Sequence, residues 1–150
     1  FPVSVDYMDG GFALLTLSGL YWYDIDGNFI TSLNFRYKPY KYAVSDLYYI
    51  VIFPKNIVGS VNEVAVFSSD GKPLYEGVID ERITDIEVSD YGYAYILTQD
   101  RAVMIDIENS SIVSVPVSSQ AKRILPTGDG TVLLAYSSRA IFLDFKSQSN

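Results

Sequence analysis

The sequence predicts an all-β fold assembled from about four antiparallel sheet repeats. Three observations predict it. Residues 86–107 match residues 124–145 without a gap at a shift of 38. Gly- and Asp-rich turn signals separate short apolar runs throughout, which is the punctuation of strands rather than helices. No segment of about a dozen residues keeps apolar spacing at 3.6 with a cap and a stop. Fixed-period self-similarity is the mark of repeat architectures, in which each unit covers the apolar face of the next. The same repeats could also pack as a β-sandwich.

In the 38-residue match, Ile86 falls on Ile124, Gly92 on Gly130, Ala94 on Val132 and Ile96 on Leu134. Arg101, Ala102 and Asp106 fall on Arg139, Ala140 and Asp144. An earlier copy aligns Gly11-Phe12-Ala13 with Gly92-Tyr93-Ala94 at a shift of 81, and Asp24-Ile25-Asp26 with Asp106-Ile107-Glu108 at 82. A more degenerate copy matches Val44-Ser45-Asp46 to Val88-Ser89-Asp90 and Phe67–Gly71 to Tyr23–Gly27, with an insertion at Pro54–Ser60. One domain over residues 1–150 follows, with repeats at about 1–36, 37–81, 82–119 and 120–150.

Within the first repeat, Val3–Tyr7 leads through Met8-Asp9-Gly10-Gly11 into Phe12–Leu17, and Ser18-Gly19 and Asp26-Gly27-Asn28 make the later turns. Asp-Gly and Gly-Gly supply the positive φ that tight hairpins need. Ile83–Val88 alternates apolar and polar residues, the pattern of a half-exposed strand. Phe12–Leu17 and Val132–Tyr136 are continuously apolar, the pattern of strands buried on both faces.

Length and composition suit a globular chain. It has 150 residues, 49% apolar and 19% charged, with 13 Tyr and 8 Phe. A formal charge of −7 repels phosphate backbones, so nucleic acid is not an expected partner. The chain has neither His nor Cys, which excludes a Ser–His–Asp triad, a Cys nucleophile and an ordinary zinc site from its own residues. No apolar run approaches the 18 or so residues of a membrane span. Phe1-Pro2-Val3-Ser4 lacks the basic region of a signal peptide. A soluble protein is expected, and the compartment stays open between cytoplasmic and secreted; Asn109-Ser110-Ser111 is one N-x-Ser acceptor.

The turns Tyr23-Asp24-Ile25-Asp26-Gly27-Asn28, Val66–Gly71 and Met104–Asn109, with the Gly-aromatic-Ala strands at Gly11 and Gly92, resemble β-propellers of the loosely conserved kind. The Trp-Asp dipeptide of WD40 blades and a kelch double glycine in each unit are missing. The resemblance implies radially stacked four-stranded blades, each about the length of the repeat. Four blades are few for such a ring, and the last repeat ends in the polar Lys146–Asn150. The N-terminal strand completing the last blade, chains completing one another, or a longer protein of which these repeats are a fragment would answer that shortage.

Arg36-Tyr37-Lys38-Pro39-Tyr40-Lys41-Tyr42, followed by Tyr48 and Tyr49, is the most distinctive stretch. Stacking rings interleaved with cations suit a partner surface, and equally an inter-blade connection with Lys stems lying along Tyr rings. Arg36, Tyr37, Lys38, Tyr40, Lys41, Tyr42, Tyr48 and Tyr49 are the expected partner-binding residues. Asp24, Asp26 and Asn28 are weak metal candidates, since the turn lacks the distal Glu of an EF-hand. Asp80, Glu81, Asp85, Glu87 and Asp90 read as a solvated strand edge.

The expected function is a non-enzymatic protein-interaction or scaffold module, with another protein or a second copy of the chain as partner and no cofactor. One alternative is a structural subunit of an extracellular or viral assembly whose strands are completed between chains. Another is a carboxylate- or calcium-dependent propeller hydrolase, disfavoured because no sequence feature singles out an acid of raised pKa.

Overall fold

Short turns return the chain beside itself, so strands adjacent in sequence become neighbours in a sheet. The computed structural model describes residues 2–118 and 120–148; expectations that fall on Phe1, Ser119, Ser149 and Asn150 lie outside the described residues. Among the described residues fifteen strands form four separate antiparallel sheets, each in simple sequential order. The first holds β1 (Pro2–Met8), β2 (Gly11–Thr16), β3 (Gly19–Asp24) and β4 (Phe29–Asn34). The second holds β5 (Lys41–Val44), β6 (Tyr48–Pro54), β7 (Asn62–Ser68) and β8 (Pro73–Ile79). The third holds β9 (Ile83–Ser89), β10 (Tyr93–Thr98), β11 (Arg101–Asp106) and β12 (Ser111–Pro116). The fourth has three strands, β13 (Arg123–Gly128), β14 (Thr131–Ala135) and β15 (Ala140–Asp144), before a 3₁₀ turn at Lys146–Gln148. β1 pairs with β2 in the first sheet, so it does not supply a fourth strand to the last.

The sheets stack face to face in chain order. Side chains alternate across each strand, so each sheet has one face toward the preceding blade and one toward the following blade. Ala13, Leu15, Leu20 and Trp22 of the first sheet meet Tyr49, Val51, Ala65 and Phe67 of the second. The opposite face of the second sheet, with Ile50, Ile52, Val64 and Val66, meets Ile86, Ala94, Ile96 and Ile105 of the third. Tyr95, Leu97 and Met104 on the far side of the third sheet meet Ile124, Val132, Leu134 and Phe145. Hence three apolar seams hold four blades in an arc, each seam using opposite pleats of adjoining sheets. β9 touches both β5 and β13, which places the first strand of each blade nearest the axis.

The register corrects one detail of the repeat. Gly11 pairs with Met8 and Asp24, whereas the equivalent position in the third blade, paired with Ser89 and Asp106, is Tyr93. The true offset is therefore 82 along the whole strand, and Ala13 is level with Tyr95. The extra residue sits in the Asp90-Tyr91-Gly92 turn, where Gly92 takes φ +90. A slip of one residue exchanges the two faces, so only this register puts Ala13 and Tyr95 on the same side of their blades.

The acidic stretch also behaves differently from expectation. Asp85 accepts the Arg123 Nε–H at 3.0 Å and the Ile124 amide at 2.9 Å, and Asp90 accepts the Leu47 amide at 3.1 Å. Glu81 accepts the Thr98 hydroxyl at 2.6 Å and pairs with Arg101. These carboxylates tie blades to one another instead of merely facing water.

Candidate partner-binding surfaces

The connection from β4 to β5 carries the Tyr- and Lys-rich stretch from the rim of blade 1 to the axis of blade 2. Its entry is fixed by the Phe35 amide, which donates to the Ser18 carbonyl at 2.8 Å, and by the Phe35 ring, set edge-on to Phe53 at 4.7 Å. Its exit is fixed by the Tyr40 amide, which donates to Ile52 at 2.8 Å. Between these anchors Arg36, Tyr37 and Lys38 are exposed.

Two cavities open along this connection. The first, of about 290 Å³, is lined by Phe35, Phe53 and Phe67 together with Arg36, Tyr37, Glu63 and Glu76. An aromatic wall with separated charges of both signs can seat an apolar side chain while orienting a neighbouring polar group. The second, of about 350 Å³, lies near the axis and is bordered by Tyr40, Lys41, Tyr42, Asp85, Glu87 and Arg123. Here Arg123 bridges Asp85 at 3.0 Å and Glu87 at 3.7 Å. Burial, with Asp85 alongside, raises the Glu87 carboxyl above its ordinary range, and Arg123 opposes that shift.

The expected contact aromatics divide. Tyr37, Tyr40 and Tyr42 are 39%, 54% and 38% exposed. Lys41 is half-buried with its ammonium 5.3 Å from the Tyr40 ring centroid, a cation–π contact. Tyr48 is half-buried against the seam between blades 2 and 3. Tyr49 is a correction: it is fully buried in the first seam, stacked on Tyr42 at 6.0 Å, and cannot act as a direct contact. Its hydroxyl donates to Asp6 at 3.3 Å and lies 3.2 Å from the Ser4 hydroxyl. Strand alternation puts Tyr49 inward, which the cluster of aromatic letters concealed.

Tyr49 and Tyr95 make stability sensitive to alkali. Burial, the larger cause in both, pushes the Tyr49 hydroxyl far above its ordinary value and Tyr95 up to about 12. A raised folded pKa means that the native state holds the proton more tightly than the unfolded chain. The stabilisation is therefore complete below about pH 10 and is lost as pH rises through about 12. Tyrosinate absorbance should show a late group that ionises only as near-ultraviolet circular dichroism collapses.

The Asp24 turn is a closed hydrogen-bond motif. Asp24 accepts the Asp26 amide at 3.0 Å, the Asn28 amide at 2.8 Å and the Asn28 side-chain amide at 3.1 Å. These donors, the Asn28 amide first, hold the Asp24 carboxyl below its ordinary value. Asp106 repeats the arrangement with Asn109, at 3.1 and 2.8 Å. A turn-stabilising role accounts for both. Among the described residues no group of three or more Asp or Glu is arranged to hold a metal ion.

The 54–60 insertion projects from blade 2 and is internally braced. Asn56 accepts the Ser60 amide at 3.0 Å, and Asn62 donates to Gly59 and Glu81, both at 2.8 Å. It leaves Ile57 wholly exposed and Val58 59% exposed, a small apolar tip.

No protein-family model matches the sequence, and no curated protein matches it. Solved structures do match in shape. The crystal structure of HIRA(644-1017) is 15% identical with a TM-score of 0.71, covering 97% of this chain and 51% of that one. Kluyveromyces lactis Hsv2p gives a TM-score of 0.69 at 11% identity, with 95% and 47% covered. The Neurospora crassa Pan2 WD40 domain gives 0.61 at 15% identity, with 97% and 49% covered. The chain thus spans about half the length of the structures it matches. Among the described residues no helix is long and apolar enough to cross a membrane. Identities this low speak to fold alone, and on that evidence the chain is a run of four β-propeller blades.

Proposed function

We propose that the chain is a non-enzymatic interaction module whose blades 1 and 2 present the 36–42 connection to a protein partner. The observation that carries this reading is the aromatic-walled cleft beside Arg36 and Tyr37. It combines three Phe rings with Tyr37 and Arg36, and Tyr and Arg are residue types that dominate binding energy at protein interfaces. Lys38, Tyr40, Lys41 and Tyr42 extend the surface toward the axis. Asp85 and Glu87 there are engaged with Arg123, and the chain has no His or Cys to serve as an imidazole base or a thiol nucleophile. The net charge of −7 favours a protein over a nucleic-acid partner.

A displayed library of random linear peptides, selected on the immobilised protein, tests this. Enriched peptides should carry an apolar or aromatic anchor flanked by charge. Tyr37→Ala should weaken them by at least about 2 kcal/mol, roughly 30-fold in Kd, at an unchanged melting temperature. Peptides that bind the Tyr37→Ala protein equally well, or a selection that enriches nothing, would overturn the assignment of this cleft.

A further inference from the structure

The two ends of the arc expose faces of the kind that every interior blade buries. In blades 2, 3 and 4 the face toward the preceding blade is packed in a seam. In blade 1 the corresponding face is bare. Cross-strand pairing aligns Val5, Leu14, Tyr21 and Ser32 in one row, and Tyr7, Phe12, Tyr23 and Phe29 in the next. These two rows contain no charged side chain. Val5, Tyr7 and Phe29 are 65%, 63% and 59% exposed. The rings are already ordered for packing, Tyr7 edge-on to Phe12 at 5.6 Å and Tyr23 edge-on to Phe29 at 5.9 Å.

Blade 4 ends the arc in the complementary way. Its face toward a following blade carries the row Leu125–Leu133–Phe142, with Phe142 61% exposed. In blade 3 the matching face is filled by Tyr95, Leu97 and Met104 and is buried.

The primary sequence agrees. The second strands of all four blades are apolar on both pleats, yet only those of blades 2 and 3 are covered on both sides. β6 and β10 each have an unbroken run of five buried residues, whereas β2 and β14 alternate buried with half-buried positions. Two-sided apolar strands with one side uncovered are written for a neighbour.

We infer that two copies of this chain close head to tail, the bare face of blade 1 on each packing against the bare face of blade 4 on the other. The two faces are mates by kind, since each interior seam joins a following face to a preceding face. Each interface then continues the seams within the chain, and two arcs that each span about half of the structures they resemble together match the length of one. A specific complex typically buries about 1,600 Å² in all, and here that burial would be shared between two seams. This surface is separate from the cleft at Tyr37 and stands or falls apart from it.

Light scattering coupled to gel filtration, at tens of micromolar chain, tests the inference. A mass of twice 16.8 kDa is expected. Tyr7→Glu and Phe142→Glu, both on exposed side chains, should each give monomers with an unchanged far-ultraviolet circular dichroism spectrum. Mixing the two variants should restore a dimer, because one of its seams then joins two unaltered faces. A monomeric wild type, an open-ended assembly, a Phe142→Glu protein that still dimerises, or a mixture that stays monomeric would each overturn the head-to-tail pair.

Discussion

Trp22→Ala is expected to lower the unfolding free energy by about 3–5 kcal/mol, read as a shift in the urea midpoint at constant slope. Trp22 is 1% exposed and sits where blade 1 meets blade 2, tilted against Phe67 at 5.8 Å. Gly71, at φ +86, lies so close that a Cβ there would come within 2.8 Å of the indole, so the turn of one blade is fitted to the ring of the next. Truncation leaves a void that backbone on both sides keeps from collapsing, which is the condition for a large cavity term. The loss would be a sizeable part of the 5–15 kcal/mol that holds a typical domain together. Trp22→Phe should cost much less. The indole Nε1–H meets no acceptor among the described residues, so the smaller ring also removes a buried unsatisfied donor. A Phe variant as unstable as the Ala variant would show that ring volume is not what the seam requires.

Gly11→Ala should destabilise by about 3 kcal/mol or more, through a different mechanism. A Cβ at Gly11 would overlap the Tyr23 carbonyl and stand 3.0 Å from the Asp24 Cα. Both are backbone atoms in the paired strand β3, so no side chain can swing aside. Relief requires the β2–β3 ladder to part, which loosens the sheet that carries Trp22. Gly92 makes the contrasting case, since a Cβ there meets only the Tyr48 hydroxyl at 3.6 Å and the objection is its φ of +90. Gly92→Asn should therefore be better tolerated than Gly92→Ala, because Asn visits the left-handed region more readily. No such rescue should exist at Gly11. Equal tolerance of Ala at both glycines in thermal melts would refute the distinction.

Those two glycines show where sequence reading stops. They align by letter, as Gly-aromatic-Ala, yet one serves a turn and the other a close approach between strands. Hairpin turns are local chemistry, so Asp-Gly signals marked strand ends well. Register depends on which residues meet across a ladder, and one added turn residue moves it. The candidate surface shows the same limit. Arg36, Tyr37, Lys38, Tyr40 and Tyr42 are exposed on the connection as its composition suggested. Tyr49 lies inward because it is in phase with Val51 and Phe53. The cleft wall itself draws Phe53 and Phe67 from strands far along the chain, which no local pattern could place beside Arg36.

By itself the sequence determined the all-β class, the fourfold repetition and the absence of His and Cys chemistry. Each of these follows from local periodicity, turn residues or composition. Tertiary structure alone decided which pleat of each strand faces which neighbour, that acidic residues of blade 3 bridge to blades 2 and 4, and that both ends of the arc leave an apolar face open. The physical reason is that burial belongs to sheets stacked in space. Phe12–Leu17 has the composition of a strand covered on both sides, and only the position of its sheet at the end of the stack exposes one of them.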